Sequence, residues 1–450
     1  MTPRMKMVLI GVSALALASG AAVRAASQSE TYKQLDALMD VFERVRVDYV
    51  DEVEDTDLIE GAINGMLASL DPHSSYLDAR DFANMRQTTD GEYGGLGLTV
   101  TTEDGAVKVV APTDDTPASR AGVKAGDYIT HLDGELIYGT SLNEAVDKMR
   151  GAAGTKLTIT VVREGEKEPL EFELVREVIQ IKPVKWEIKG AVGVVRISTF
   201  NKQTGPMTRE ALQAISKKLG DKVTGYVIDL RSNPGGLLDQ AIEVSDAFLD
   251  RGEIVSQRGR TKRDILRYNA KAGDLTGGKP IVVLVDAGSA SAAEIVAGAL
   301  QDQRRAVVIG QRTFGKGSVQ TLIPLGQESA LRLTTARYFT PSGRSVQEAG
   351  IEPDVPVPQL SDPNRGERPR LREADLQRHL INEIKDETAK IIETDDEPDP
   401  RFAMTAEALK EKGVLDFQLD YAVKMLERLA PDRAVQMAEA AGLPGQAAQR

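Results

Sequence analysis

The chain has 450 residues, 41% of them apolar, which is enough for several domains with sizeable cores and excludes a disordered protein. A net charge of −12 argues against a generally basic nucleic-acid surface. With no cysteine and only three histidines (His73, His131 and His379), a thiol nucleophile, disulfides and a lipid-modified N-terminal cysteine are excluded, and a Ser-His-Asp triad would need a distant histidine.

At the N-terminus, Arg4 and Lys6 precede the apolar run MVLIGVSALALASGAAV, and Val23-Arg24-Ala25 offers a small-x-small cleavage site. Residues 1–25 are therefore expected to be a signal peptide that takes the chain out of the cytoplasm, with an uncleaved membrane anchor as the alternative. No later segment has the apolar length to span a bilayer, and a bacterial periplasmic protein is expected. Residues 27–85 are expected to be a helical region. Leu35, Leu38, Phe42 and Val45 recur at three- and four-residue steps, LIEGAINGML repeats the pattern, and Asp71-Pro72 stops the second helix. His73, in DPHSSYL, is read as a capping or hydrogen-bonding residue beside a proline turn.

Residues 88–165 read as a turn-rich β unit. GGLGLTV opens a strand, GAVKVVAP and the turn-rich PASRAGVKAGDYITHLDGELI follow, SLNEAVDKMRG is a short helix N-capped by Ser141, and KLTITVVREG is an alternating closing strand. This order resembles a PDZ module of the kind found in bacterial proteases. The resemblance implies that the loop Gly95-Leu96-Gly97 offers backbone N–H groups to a C-terminal carboxylate. Leu98 and the helix face around Ala145 and Met149 would then line a side-chain pocket, with the peptide added as a strand.

Residues 166–358 alternate strand and helix: VKWEIKGAVGVVRISTF, REALQAISKKL, GYVIDLRSNPGG, LLDQAIEVSDAFL, PIVVLVD, AAEIVAGALQD and AVVIG. That order predicts a mixed α/β sheet with ligands gathered at the carboxyl ends of its strands. DLRSNPGG and VDAGSASAAE both fall at such ends, so one site between them is expected. A small nucleophile on a sharp strand-to-helix turn suits acyl transfer, because the turn lifts the hydroxyl clear of the sheet. Ser291 is read as that nucleophile, with Ser289 competing for the role. Lys316, flanked by glycines in TFGKGSVQ, is read as the general base, provided its surroundings keep the amine neutral. Glu294, in the first helical turn, is read as site-shaping. Gly235 or Gly236, together with the N–H of Ala292, would form an oxyanion hole, and which glycine serves is left open.

GSASAAEI followed by FGKGSVQ, with Lys316 25 residues after Ser291, resembles the C-terminal processing peptidases (tail-specific proteases). DPHSSYL, DLRSNPGG and TTARYFTPSGRSVQEAGIEPD extend the resemblance, in order, from about Leu35 to Val357. The resemblance places the nucleophile on Ser291 rather than Ser289 and implies a Ser-Lys dyad assisted by Gln320. It also implies a crotonase-like (ClpP/crotonase) core, no metal or organic cofactor, and cleavage of proteins recognised by nonpolar C-termini. Envelope proteins such as cell-wall hydrolases and a helical-repeat adaptor are the partners it suggests; nucleic acid is not among them.

Residues 359–450 are expected to hold the Pro/charge-rich linker PQLSDPNRGERPR, a charged amphipathic helix LREADLQRHLINEIKDETAKII, the acidic loop ETDDEPDPR, further helices to about Ala440 and a disordered tail. Those helices are expected to favour self-association. Two rival readings are an acyl-CoA hydratase or isomerase on the same fold, and a non-catalytic peptide-binding scaffold. The first would need glutamate or aspartate catalysts and an adenine pocket, and the Ser…Lys spacing and the appended PDZ-like unit argue against it. The second would require loss of the serine or lysine, and both are present.

Overall fold

The computed structural model describes residues 30–103, 105–261, 263–365, 371–384 and 400–440, the last eleven of them as backbone alone. The expected signal peptide, most of the acidic loop and the tail from 442 lie outside the described residues. The described residues up to Leu70 and those from Asp71 onward form two compact units. In the first, helices over 30–48 and Asp55–Ala68 follow the expected periodicity.

In the second unit, five strands pair antiparallel: Leu98–Glu103, Ala106–Pro112, Tyr128–Leu132, Lys156–Val162 and Leu170–Val175. The first of them lies at a sheet edge. Strict alternation in KLTITVV sends Leu157, Ile159 and Val161 inward and leaves the residues between them facing out. The helix Leu142–Met149 begins where Ser141 Oγ accepts the Glu144 N–H at 3.2 Å, and it lays Ala145 and Met149 on the same core.

The central sheet orders its strands Val184–Lys189, Val192–Ile197, Gly225–Asp229, Ile281–Val285, Val307–Gly310 and Val355–Pro356. All neighbours are parallel except the first pair. IVVLV and GYVID are buried at every position because both faces are covered. Helices Thr204–Leu219, Leu238–Asp246 and Ala292–Asp302 pack on one face against Val195, Ile228 and Val283. On the other, Leu409, Phe417, Leu419 and Leu426 pack against Val194, Val227, Val282 and Leu284, each large side chain contributing about 1.5–3 kcal/mol by burial. The described part of the C-terminal helices thus covers this chain's own sheet. A second sheet holds Ser75–Leu77, Ser329–Phe339, Glu253–Arg258 and Ile265–Asn269, with Ser318–Leu325 forming a hairpin onto Ser329–Phe339.

Three stretches differ from the expected pattern. The segment after Asp71 leaves the helical region and pairs as a strand with Ser329–Phe339. Leu360, inside the expected linker, is buried in the core. The amphipathic helix expected from Leu371 is absent over 371–384, where only a short 3-10 turn, Glu373–Asp375, forms. The helix formers there are overruled by tertiary anchors, since Arg372 and Glu373 are buried and bond the Thr313 and Phe314 carbonyls.

Candidate active site

The strand Ile281–Val285 ends in the turn AGSAS, and the helix Ala292–Asp302 starts at once. Ser291 is its N-cap, with φ 53° and ψ −111°, a conformation that costs a non-glycine residue about 1–3 kcal/mol. Hydrogen bonds hold it there. Ser291 N–H donates to Glu294 Oε2 at 2.7 Å, and Ala290 N–H donates to the Asn233 carbonyl at 2.9 Å. Ser289 is occupied differently: its Oγ donates to the Leu230 carbonyl at 2.8 Å and accepts the Asp286 N–H at 2.9 Å, and the residue is fully buried. Ser289 therefore closes the turn, and Ser291, at the helix N-cap, is the strained residue of the two.

Lys316 sits in the loop 313–317, between two glycines that the packing requires. A Cβ on Gly317 would lie 2.4 Å from Gln347 N, and Gly315 has φ 96° with the Glu348 carbonyl 2.9 Å from its would-be Cβ. Glu294 ties this loop to the serine turn. It is fully buried, and its Oε1 accepts from Thr313 Oγ1 and from Gly315 N–H at 2.7 Å. Oε2 accepts Lys316 N–H at 2.9 Å as well as Ser291 N–H. Burial pushes the Glu294 carboxyl up to about 7, opposed by these four bonds, which favour the ionised form.

Among the described residues, Lys316 Nζ forms no hydrogen bond or ion pair. Burial pulls its amine below the ordinary lysine range; Glu373, Glu294 and Asp71 oppose that shift and Arg332 adds to it. No hydrogen bond joins Nζ to Ser291 Oγ in this arrangement, and in a substrate-free site such bonds are often long. Gln320 donates through Nε2 to Ser318 Oγ at 3.0 Å and to Thr334 Oγ1 at 3.3 Å, so its amide nitrogen is committed away from Lys316.

The two glycines after Asn233 differ. Gly235 lies against the elbow, its would-be Cβ 2.9 Å from Ser291 Cβ, but its N–H donates to Asn233 Oδ1 at 2.8 Å. Among the described residues the N–H groups of Gly236 and Ala292 have no acceptor, the requirement for receiving an oxyanion. A cavity of roughly 670 Å³ opens at the carboxyl ends of the strands beside this turn, lined by Arg196, Arg231, Asp286, Gly288, Phe314 and Asp416 among others. Its lining includes neither Ser291 nor Lys316, so it neighbours these two residues rather than containing them.

In the β unit, Leu96, Ala145 and Met149 belong to one buried cluster, with Leu98 and Val146 partly exposed on it. Gly95 ends the strand Glu92–Gly95, and Gly97 has φ 78° against Thr116. The N–H groups of Leu96 and Gly97 have no acceptor among the described residues, and the strand Leu98–Glu103 has a free edge.

Several residues at the site carried no local signal of their role. Asp71 accepts from His73 N–H (2.8 Å), Ser74 N–H (3.0 Å) and Thr334 Oγ1 (3.1 Å), which places DPHSSYL beside Gln320's partners. Thr313, Asn233 and Glu373 also enter the site. DPHSSYL stood out as a motif; nothing near Glu373 did.

The description "Peptidase family S41" matches residues 191–357, "PDZ domain" matches 94–174, and "Activating protease CtpB N-terminal domain" matches 12–81. A carboxy-terminal-processing protease of Bartonella bacilliformis is 56% identical over 356 residues, covering 79% of this chain and 82% of that one. The carboxy-terminal processing protease CtpB of Bacillus subtilis is 37% identical, covering 75% and 71%. Among solved structures, a photosystem II D1 C-terminal processing protease is 31% identical and covers 71% of this chain and 92% of its own, with a TM-score of 0.43. The mixed α/β core with its attached PDZ domain is that of a serine protease. The chain belongs to peptidase family S41, among the carboxy-terminal processing proteases.

Proposed function

We propose that this protease works in the bacterial envelope, captures the C-terminal tail of a protein in its PDZ domain, and cuts upstream with a Ser291–Lys316 dyad on a crotonase-like core. One observation carries the reading: Ser291 and Lys316 N–H groups share a single oxygen of Glu294, while the Lys316 amine is half-buried and uncommitted. The neutral amine takes the Ser291 proton as Oγ bonds to the scissile carbonyl carbon, and the oxyanion faces the N–H groups of Gly236 and Ala292. The Lys316 ammonium then gives its proton to the leaving amine as the C–N bond breaks, leaving an acyl ester. Water adds to the ester with the amine again taking a proton, and Ser291 is restored. Gln320, with its nitrogen held by Ser318 and Thr334, has Oε1 to steady the ammonium.

The proposed layout is a signal peptide over 1–25, a helical region over 27–85, the PDZ domain over 88–165, the peptidase core over 166–358 and a C-terminal segment beyond. Among the described residues no helix is long and apolar enough to cross a membrane. Cell-wall hydrolases and other envelope proteins are the proposed substrates; an adaptor and self-association are proposed partners. The test incubates the signal-free protein and Ser291→Ala with a reporter ending in apolar residues and with the same reporter ending in two aspartates. Ser291-dependent cleavage of the apolar-tailed reporter alone is expected. Equal cleavage of both would overturn tail recognition.

A further inference from the structure

The segment 371–384 follows the peptidase motifs and has almost no regular structure, yet Glu373 is fully buried and Arg372 nearly so. Charges are not buried without partners, and here the partners lie around the Lys316 loop. Glu373 N–H donates to the Phe314 carbonyl at 3.1 Å. Arg372 donates to the Thr313 carbonyl at 3.3 Å. Gln347 bridges the remaining gap: its Nε2 donates to Glu373 Oε1 at 2.9 Å, and its Oε1 accepts Gly317 N–H at 3.0 Å. His73 Nε2 lies 3.0 and 2.8 Å from the two Glu373 oxygens. The loop is thus clamped by two buried carboxylates, Glu294 from the serine helix and Glu373 from the segment beyond the core.

We propose that Glu373, held by His73, is a positioning residue for Lys316, fixing the loop and stabilising the ammonium that must protonate the leaving amine. This rests on Lys316 being the base. Four charged groups act on Lys316: Glu373, Glu294 and Asp71 favour the ammonium and Arg332 disfavours it, with Glu373 foremost among them. Glu373 in turn faces His73, has Arg372 beside it in the chain, and acts on His379, which is paired with Glu348 at 2.8 Å.

The test is kcat/KM against pH on an apolar-tailed reporter for the wild type, Glu373→Gln, Glu373→Asp and His73→Gln, each checked for folding by circular dichroism. Removing a carboxylate that favours the ammonium is expected to move the rising limb of Glu373→Gln to lower pH. Its plateau is expected to fall up to about a hundredfold from misplacement of the base. Glu373→Asp is expected to keep the wild-type limb, and His73→Gln, which retains a donor, to keep most of the plateau. A lower plateau with an unmoved limb would make Glu373 a structural strut and overturn the proposal, as would a limb moved to higher pH or unchanged activity. If Glu373→Gln does not fold, the Glu373→Asp limb decides, and a limb away from the wild-type position overturns it. Failure of the underlying reading looks different: Lys316→Ala would keep the wild-type pH profile.

Discussion

Ser291 and Lys316 are joined through one atom: their backbone N–H groups converge on Glu294 Oε2 at 2.7 and 2.9 Å. Two loops separate in sequence are therefore registered by a carboxylate one turn into the serine helix. Glu294→Gln offers one acceptor oxygen where two are used, and its amide turns donors toward N–H groups. Activity is expected to fall by about a hundredfold through misplacement, with stability lower by about 1–3 kcal/mol from the unpaired donors. Steady-state kinetics and urea unfolding check both.

Glu294 also has a stability signature. Burial raises its carboxyl from 4.5 to about 7, so the contribution of the protonated form is complete below about 4.5 and is lost as pH rises through about 7. The wild type is expected to lose stability across that window while Glu294→Gln does not, as thermal melts in a pH series would read.

Activity is expected to rise with pH through neutrality. Burial brings Lys316 below the ordinary lysine range, so its neutral fraction grows as pH rises. Lys316→Arg, which keeps its proton at every usable pH, is expected to be inactive throughout. Residual activity of Lys316→Arg with the wild-type limb would count against the lysine.

Gly235→Ala tests the close approach at the elbow. With φ 97°, its new Cβ would sit 2.8 Å from the Ala290 carbonyl and 2.9 Å from Ser291 Cβ, so Ser291 must move. A loss of activity and a destabilisation above about 1 kcal/mol are expected. Gly122→Ala, at φ 88° with nothing within 4 Å, bears only the backbone strain and should leave cleavage of a short untailed peptide intact.

Arg231, at the end of a core strand, pairs with Asp229 and Asp416, which locks the C-terminal helix to the sheet. Burial acts to raise the Asp416 carboxyl, but the guanidinium outweighs it and holds the carboxyl at about 2. That stabilisation is present above the ordinary aspartate range and is lost as pH falls toward about 2. With the Asp416 side chain 36% exposed, Asp416→Asn is expected to cost about 1 kcal/mol at neutral pH in urea unfolding. The gap should close in acid.

The core strands and the elbow were legible because an apolar run followed by Gly, Ser and Ala has few other readings. Lys316 stood out through its flanking glycines, and Ser291 was preferred over Ser289 only through the family resemblance. That the Gly235 N–H is taken up by Asn233 was not legible, since it depends on where the Asn233 side chain turns. Residues 371–384 misled because LREADLQRHL is built of helix formers, while the partner of Glu373, His73, lies 300 positions away. Long-range burial of charge leaves no local pattern to read.

The most direct test of the account is the pH dependence of covalent labelling by a serine-reactive fluorophosphonate, located by peptide mass spectrometry in the wild type and in Lys316→Ala. The account predicts a single adduct on Ser291 whose rate of formation rises with pH and collapses in Lys316→Ala. An adduct on Ser289, or equal labelling of Ser291 without the lysine, would contradict it.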